Sequence, residues 1–383
     1  MSERIAIIGI GATQFRTITP DVSYKELMFE AAVKAYRDAG IDPRKDVGTF
    51  VTCAEDYIEG VSIFDEYVPD QLGAVLKPMH TIPGDGLHGI ATAAMMLRTG
   101  RFETAVVEAH AKASNLVTPD GIMACAQDPV FVRPLGLNTH FVAGLEMNRF
   151  CQEFAVDPDV CGKVVIKNRG NALRNPLAAH GVELTLTDYY DSRPVSAPLS
   201  ELDCAQPADG AIAVVLATET KAAELGIEPV WLTGFGWCNG ASDLEGRDWA
   251  TPAYVTTAAD IAYRMAGISA PRTAFDFAEI DDTFSYKELQ HLAALRLCSF
   301  DRVSDWVSDG STEVDGELPV NVSGGAIGMG HLYEATGLAR FYCAVQQLRG
   351  TAGRAQLDEV ESCLVQGWRG LPTASTACAV LEV

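Results

Sequence analysis

An ordered alternation of strand-like and helix-like segments runs through the 383 residues twice. In the first part, an apolar run over residues 4–11 ends at glycine, and Ser23 then caps a predicted helix over residues 24–39. In the second part, a predicted strand at 230–236 is followed by a predicted helix at 255–266. Such alternation is typical of layered proteins, so we predict an α/β fold of two similar halves.

Two glycine-bearing turns stand at similar places in the two halves, at residues 83–86 (PGDG) and 323–326 (SGGA). The length suits two fused units, and we predict a first half over residues 1–225 and a second over 226–383. Between about 115 and 207 the sequence is rich in proline, asparagine, aspartate and arginine. This composition indicates an excursion laid over the core, where functional loops tend to lie.

The formal net charge of −22 comes from 29 basic and 51 acidic side chains. A surface of this sign repels nucleic acid and anionic lipid, so we expect neither as a partner. No apolar run reaches the roughly 18 residues of a membrane helix, and we identify no signal peptide, so we expect a cytoplasmic protein. The ten cysteines form no C-x-x-C pair, which argues against a structural zinc site and for reduced thiols.

Four passages match a known family in order and spacing. They are IAIIGIGATQF near the N-terminus, the region 167–176, the region 202–216 with LDC and DGAIAVVL, and the region 322–337 with SGG, GH and ATG. Together they resemble the thiolase superfamily, especially its sterol-carrier-protein-like and archaeal-type branch. The resemblance implies two duplicated halves in a five-layer α-β-α-β-α sandwich, and at least a homodimer. It also implies a coenzyme A thioester as substrate, with no tightly bound cofactor.

The two cysteines that ordinary thiolase chemistry uses have no counterpart in this sequence. The family's nucleophile stands in a Cys-x-Ser-Gly motif at a helix start, where Pro83 occupies the slot. A shift of register would offer Asp85 as a catalytic residue, although aspartate at a helix start is typically a cap. The second cysteine, in a Cys-x-Gly-Gly-Gly motif, is replaced by Gly370, because Cys378 lies too far along the chain.

Other catalytic positions of the family are occupied by different side chains. Residues 281–284 (DDTF) stand where the family has Asn-Glu-Ala-Phe, and Asp281 suits a base, a cation-binding group or a helix cap. His331 matches the histidine of the Gly-His motif, either as an acid–base or oxyanion-binding group or as a structural relic. Tyr333 and Tyr286 lie near matched motifs, and each is a proton donor or a packed side chain.

Candidate binding residues lie in the excursion and in the second glycine turn. His140 stands where family members approach the thioester. Gly324 and Gly325 belong to the matched SGG motif. Four basic residues at near-helical spacing are suited to the phosphates of coenzyme A, unless they form a solvated helix face: Lys163, Lys167, Arg169 and Arg174.

Three functions remain open at this point. The first is an enzyme that makes or cleaves a C–C bond of an acyl-CoA thioester, by retro-aldol or retro-Claisen chemistry without a cysteine nucleophile. Side-chain-cleaving aldolases lack these cysteines too, but they tend to place tyrosine where this chain has Asp281.

The second is a thiolase or acyltransferase with a displaced nucleophile, for which Cys125 is the candidate. The third is a non-catalytic thiolase-fold subunit that scaffolds a true enzyme. Relatives in this branch often associate with a small zinc-ribbon/OB-fold protein. This chain has no such domain, so we expect that partner in trans.

Overall fold

The computed structural model describes residues 3–55, 58, 63–241, 244–370 and 374–383. Its strands are β1 (Ile5–Ala12), β2 (Thr49–Cys53), β3 (Met79–Ile82), β4 (Thr104–Lys112), β5 (Pro194–Ser196), β6 (Leu199–Ser200), β7 (Asp209–Thr218), β8 (Val230–Asn239), β9 (Phe277–Glu279), β10 (Ser362–Arg369) and β11 (Ser375–Glu382). Nine of them form one sheet in the order β3-β2-β4-β7-β1-β8-β11-β10-β9, and β5 pairs with β6.

The α-helices in the described part of the chain are α1 (Tyr24–Ala39), α2 (Pro43–Asp46), α3 (Phe64–Tyr67), α4 (Pro69–Leu72), α5 (Gly86–Arg98), α6 (Pro119–Met123), α7 (Thr139–Glu153), α8 (Pro158–Ala172), α9 (Leu186–Tyr190), α10 (Glu219–Leu225), α11 (Ala253–Ala266), α12 (Ser285–Ala294), α13 (Val303–Ser308), α14 (Gly325–Met329) and α15 (Thr336–Leu348). None of the helices described is long and apolar enough to cross a membrane.

The pairing of the strands is repeated between the two parts of the sheet. In the first part, β1 runs antiparallel to β7, β7 antiparallel to β4, and β4 parallel to β2. In the second part, β8 runs antiparallel to β11, β11 antiparallel to β10, and β10 parallel to β9. The parts join where β1 and β8 pair over three residues of each strand. This repeat confirms the predicted duplication, while the division at residue 225 stays a prediction.

Five layers follow from which faces are covered. Helix α1 packs on the outer face of the first part, and α11 on the outer face of the second. Between the two parts lies a shared core, to which α5 and α15 contribute together with strands from both halves. The excursion helices α7 and α8 pack with α11 and α12 in the second outer core. The predicted α/β class and α-β-α-β-α layering are thereby confirmed.

Paired glycines explain why each outer helix lies so close to its strand. A side chain at Gly9 or Gly11 of β1 would come within 2.5 Å of backbone oxygens of α1. Gly234 and Gly236 of β8 stand in the same relation to α11, each with a backbone oxygen at 2.3 Å. Alternate residues face the same side of a strand, so both pairs present a flat surface to their helix. The duplication therefore extends to the contact surfaces.

Candidate active site

A cavity of about 430 Å³ opens where several loops meet at one end of the middle layer. Its volume lies within the range of small-molecule binding sites. Its wall is formed by Pro119, Asp120, Met123, Thr139, His140, Arg193, Val195, Glu201, Cys204, Ala205, Gln206, Pro207, Thr283, Phe284, His331, Tyr333, Trp368, Arg369 and Gly370. The excursion, the loop before α12, the turn before α15 and the end of β10 therefore all contribute to one site.

The turn between α14 and α15 places two candidate residues in this wall. The rings of His331 and Tyr333 lie 5.0 Å apart, centroid to centroid. Burial lowers the pKa of His331 to about 4, so its imidazole is neutral at physiological pH. Burial also raises the pKa of Tyr333 to about 12, which keeps the phenol protonated. The cavity therefore presents a neutral imidazole beside a neutral phenol.

Below the wall, Asp281 and Asp282 share one buried guanidinium. Arg340 of α15 donates through Nη1 to Asp281 Oδ2 at 2.8 Å and through Nη2 to Asp282 Oδ1 at 2.9 Å. Burial favours the neutral acid and is the largest single influence, but Arg340, His291 and the hydrogen bonds of Thr283 together outweigh it, so the pKa of Asp281 is lowered. Asp281 is absent from the cavity wall among the residues described. Asp281 is therefore one partner of a buried ion pair beneath the cavity, and it does not face the space where a substrate would bind.

The glycines of the second turn hold the neighbouring carboxylate. Asp282 accepts from the backbone N–H groups of Ala326 at 2.5 Å and Ile327 at 3.2 Å, so it caps α14. A side chain at Gly325 would lie 2.1 Å from Asp282 Oδ2, and one at Gly324 would meet α8. Both glycines have positive φ angles, +105° and +57°. They let internal groups approach closely and lie outside the wall of the cavity as described.

Asp85 caps two helices at once. Its Oδ1 accepts from Leu87 N at 2.9 Å, at the start of α5, and its Oδ2 accepts from Gly337 N at 2.6 Å, at the start of α15. Burial raises its pKa to about 6, against the effect of these two backbone donors. The sequence pattern predicts the cap on α5 but not the cap on α15, because Asp85 and Gly337 are 252 positions apart.

Tyr286 lies one layer deeper than the cavity wall. Its hydroxyl donates to Glu146 Oε2 at 2.8 Å, and the other oxygen of Glu146 pairs with Lys287 Nζ at 2.8 Å. The Lys287 ammonium in turn lies 4.3 Å from the centre of the Trp368 ring, which does line the cavity. Tyr286 is fully buried. Through Glu146 and Lys287, Tyr286 therefore supports the Trp368 ring in the cavity wall.

His140 lies in the cavity wall. It occupies the first turn of α7, which begins because Asn138 accepts from Phe141 N at 2.8 Å. Its ring stands edge-on to Phe284 at 6.3 Å. His140, His331 and Tyr333 are therefore brought together around one space, on segments far apart in sequence.

The four basic residues expected to bind coenzyme A together do not share one environment. Lys167 is buried, with Nζ 2.8 Å from both Glu288 Oε1 and the Val320 carbonyl. Arg169 is also buried and donates to the His180 carbonyl at 2.9 Å. A buried ammonium needs partners at hand, which explains why Lys167 points inward.

The remaining two are more accessible. Lys163 approaches the Ser308 carbonyl at 3.4 Å, and Arg174 donates to Asn171 Oδ1 at 2.8 Å. Both are partly exposed. The four residues thus do not form one solvent-facing cluster.

Comparison with known proteins finds relatives that act on coenzyme A thioesters by name. The description "Thiolase C-terminal domain-like" matches residues 239–382. An acetyl-CoA acetyltransferase of Methanothermobacter thermautotrophicus is 27% identical over 93% of this chain and 94% of its own. The 17-hydroxy-3-oxo-4-pregnene-20-carboxyl-CoA lyase of Mycobacterium tuberculosis is 28% identical over 98% of each chain. A solved structure, "Ltp2-ChsH2(DUF35) aldolase", superposes with a TM-score of 0.83 at 25% identity, over 100% of this chain and 98% of that one.

This chain is similar to proteins of the thiolase superfamily over more than nine-tenths of its length.

The segment that corresponds to the thiolase nucleophile motif carries no nucleophile in this chain. Pro83 is exposed, and Asp85 uses both carboxylate oxygens as caps. At the second position, Gly370 lies in the cavity wall, whereas the following residues 371–373 fall outside the described part of the chain. Cys378 is buried within β11, as expected of a packed strand residue.

One cysteine does reach the cavity, and sequence reasoning did not single it out. Cys204, in the LDC passage, is 4% exposed and its Sγ donates to the Ser200 carbonyl at 3.4 Å. Burial and the neighbouring carboxylates of Asp203 and Glu201 raise the pKa of its thiol. A thiolate is therefore disfavoured there. Cys125 is exposed and does not contribute to the described wall.

Other site residues were missed for a common reason: their signals are not local. Arg340 is the one charged residue of α15, which is a detectable anomaly, but its two partners lie 59 and 58 positions away. Trp368 and Phe284 form the aromatic part of the wall, and neither has a spacing that predicts this. Thr336 follows the matched glycine-histidine motif and hydrogen-bonds the turn that carries His331.

Proposed function

We propose that this chain is an enzyme of acyl-CoA metabolism that makes or cleaves a C–C bond of a coenzyme A thioester, by retro-aldol chemistry, without a cysteine nucleophile. The observation that carries the proposal is the pairing of a neutral imidazole and a neutral phenol in the cavity, with a single, poorly ionised thiol beside them. The relatives named as an acetyltransferase and as a CoA-ester lyase support thioester chemistry at a carbon–carbon bond.

The steps need one proton acceptor and one stabiliser of negative charge. His331, being neutral, takes the proton from the β-hydroxyl of a β-hydroxyacyl thioester. The bond between Cα and Cβ breaks, Cβ becomes a carbonyl, and the electron pair moves onto the thioester as an enolate. The Tyr333 hydroxyl donates a hydrogen bond to the enolate oxygen. The proton held by His331 then returns to Cα, which balances the reaction.

Acyl transfer through a thiol is the competing chemistry, and the surroundings of Cys204 disfavour it. A nucleophilic cysteine requires a depressed pKa, usually from a cation or a helix start. Cys204 instead lies beside the carboxylates of Asp203 and Glu201. At the helix start where the family has its cysteine, the cap is Asp85. Retro-aldol cleavage avoids a thiolate altogether.

We extend the proposal to a second protein of the zinc-ribbon/OB-fold kind, acting in trans, and to a homodimer. The solved structure compared above, "Ltp2-ChsH2(DUF35) aldolase", is named for two components. The excursion, which contributes to the cavity wall, also carries exposed apolar side chains such as Phe131 and Leu135. These side chains offer a partner an apolar surface on the excursion.

The test is a substrate panel followed by mass spectrometry of the products. The protein, with and without a candidate zinc-ribbon/OB-fold partner, is incubated with matched β-hydroxyacyl- and β-ketoacyl-CoA thioesters. We expect the β-hydroxy series to yield a shortened acyl-CoA and an aldehyde or ketone, without free coenzyme A being consumed. Cleavage confined to the β-keto series and dependent on free coenzyme A would instead establish thiolase chemistry. Absence of turnover with either series, partner included, would point to the scaffold function.

A further inference from the structure

The hydroxyl of Thr336 lies at the centre of the turn that carries His331 and Tyr333. The side chain is 2% exposed and stands at the first residue of α15. Its Oγ1 is 3.0 Å from Leu332 N, 2.9 Å from the Tyr333 carbonyl oxygen and 3.3 Å from His331 Nδ1. One small side chain thus contacts three successive residues of the catalytic turn.

The roles in these hydrogen bonds can be assigned by counting protons. A hydroxyl has one hydrogen to donate and two lone pairs. A backbone amide only donates, and a carbonyl oxygen only accepts. The Thr336 hydrogen therefore goes to the Tyr333 carbonyl, and one lone pair receives the Leu332 N–H. Only a lone pair is left for His331, so Nδ1 must carry the hydrogen.

A neutral imidazole with its hydrogen on Nδ1 has an unshared pair on Nε2. We propose that Thr336 is a positioning residue that fixes His331 in this tautomer, making Nε2 the proton acceptor of the cavity. The same hydroxyl holds the Tyr333 carbonyl, and Tyr333 has a left-handed φ of +46°, which is uncommon for a residue with a side chain. Thr336 therefore fixes both members of the catalytic pair. The catalytic part of this inference rests on the proposed function, whereas the tautomer does not.

Two substitutions separate the hydroxyl from the shape of the side chain. Thr336→Val keeps the shape and removes the hydroxyl, and Thr336→Ser keeps the hydroxyl and removes a methyl group. Imidazole nitrogens in the two tautomers differ strongly in ¹⁵N chemical shift, and the chain has only seven histidines. The resonances of His331 are identified as those that disappear in His331→Ala.

We expect the wild type and Thr336→Ser to show hydrogen on Nδ1, and Thr336→Val to show a mixture of tautomers. Turnover of Thr336→Val should fall by about 10- to 100-fold with KM changed less than about threefold, as is typical when the partner of a functional histidine is lost. Thr336→Ser should recover most of that loss. A purely structural threonine would alter the melting temperature without moving the tautomer or kcat.

Two results would overturn the proposal. One is hydrogen on Nε2 in the wild type, which needs no variant to fold and no substrate to be known. The other is a folded Thr336→Val with an unchanged tautomer. Failure of the proposed function looks different, because the tautomer would be as expected while no C–C cleavage occurred in the wild type.

Discussion

His331 is a half-buried ring in the wall of the cavity, and it is the residue whose removal tests acid–base chemistry most directly. We expect His331→Ala to lower turnover by about 10² or more, the usual contribution of a general base. His331→Asn should retain part of the activity if hydrogen bonding contributes, since an amide still donates. Rates and thermal melting are measured on the same samples. A well-folded alanine variant with full activity would remove His331 from the mechanism.

Cys204 provides the second test at this scale, because it is the one thiol in the described cavity wall. If no acyl-enzyme forms, Cys204→Ala should keep turnover within about twofold of the wild type, since no step passes through sulfur. Intact-protein mass spectrometry after incubation with an acyl-CoA should show no stable adduct. Cys125→Ala is the matched control with an exposed thiol. A stoichiometric adduct that disappears in either variant would identify a displaced nucleophile.

At the scale of elements, the shared cap of α5 and α15 predicts an effect on stability. Asp85→Ala removes hydrogen bonds to two buried helix starts, so the free energy of unfolding should fall by about 2–4 kcal/mol. Asp157→Ala is the control, because Asp157 caps only α8, through the N–H of Asp159. Urea unfolding of both variants gives the comparison. Unchanged stability of Asp85→Ala with lost turnover would make Asp85 catalytic.

The buried lysine of α8 gives a prediction that separates structure from coenzyme A binding. Lys167→Met leaves Glu288 without its ammonium partner, and breaking such a pair costs about 3–5 kcal/mol of stability. Its affinity for coenzyme A should stay unchanged in the folded fraction. Lys163→Met, at a partly exposed position of the same helix, should melt like the wild type. Calorimetric titration measures the affinity of each variant for coenzyme A. Several-fold weaker binding by a stable Lys167→Met would support the four basic residues as a phosphate-binding site.

Elements with local signals could be predicted from sequence, and contacts between elements could not. Helix α1 was predicted at its observed bounds because Ser23 and Glu26 form a capping box and Gly40 ends it. The strand predicted at residues 230–236 likewise lies within β8. By contrast, the inward direction of Lys167 depends on Glu288, which is 121 positions away. Nothing in the spacing of the basic residues distinguishes a solvated helix face from one that packs against a buried glutamate.

Across the whole molecule, buried histidines and a buried glutamate with shifted pKa values change the stability of the fold in opposite directions as pH changes. Burial lowers the pKa of His88 and His331 to about 4, so the unfolded chain binds their protons first and acid destabilises the fold. Burial raises the pKa of Glu279 to about 7, so the folded state holds that proton more tightly. Its stabilising contribution is complete below about pH 4.5 and is lost as pH rises through 7.

Glu279→Gln isolates this second effect. The amide does not titrate, so the variant should lack the loss of stability that the carboxyl causes between about pH 4.5 and 7. The difference in unfolding free energy between variant and wild type should therefore shift in favour of the variant as pH rises, by up to ~3 kcal/mol. Thermal melts from pH 4.5 to 8 measure it. Parallel curves for the two proteins would mean that Glu279 titrates near its usual pKa.

The carboxylate of Asp85, which caps both α5 and α15, also limits how the molecule can move. One helix comes from each half, so any opening of the two halves about the cavity would pull Asp85 off Leu87 or off Gly337. Such a hinge would expose helix starts that water does not reach in the closed form. Entry and release of a thioester are left to the excursion, whose Met123 and His140 stand in the wall without belonging to the layered core. We therefore expect the layered core to move less than the excursion when a thioester enters or leaves.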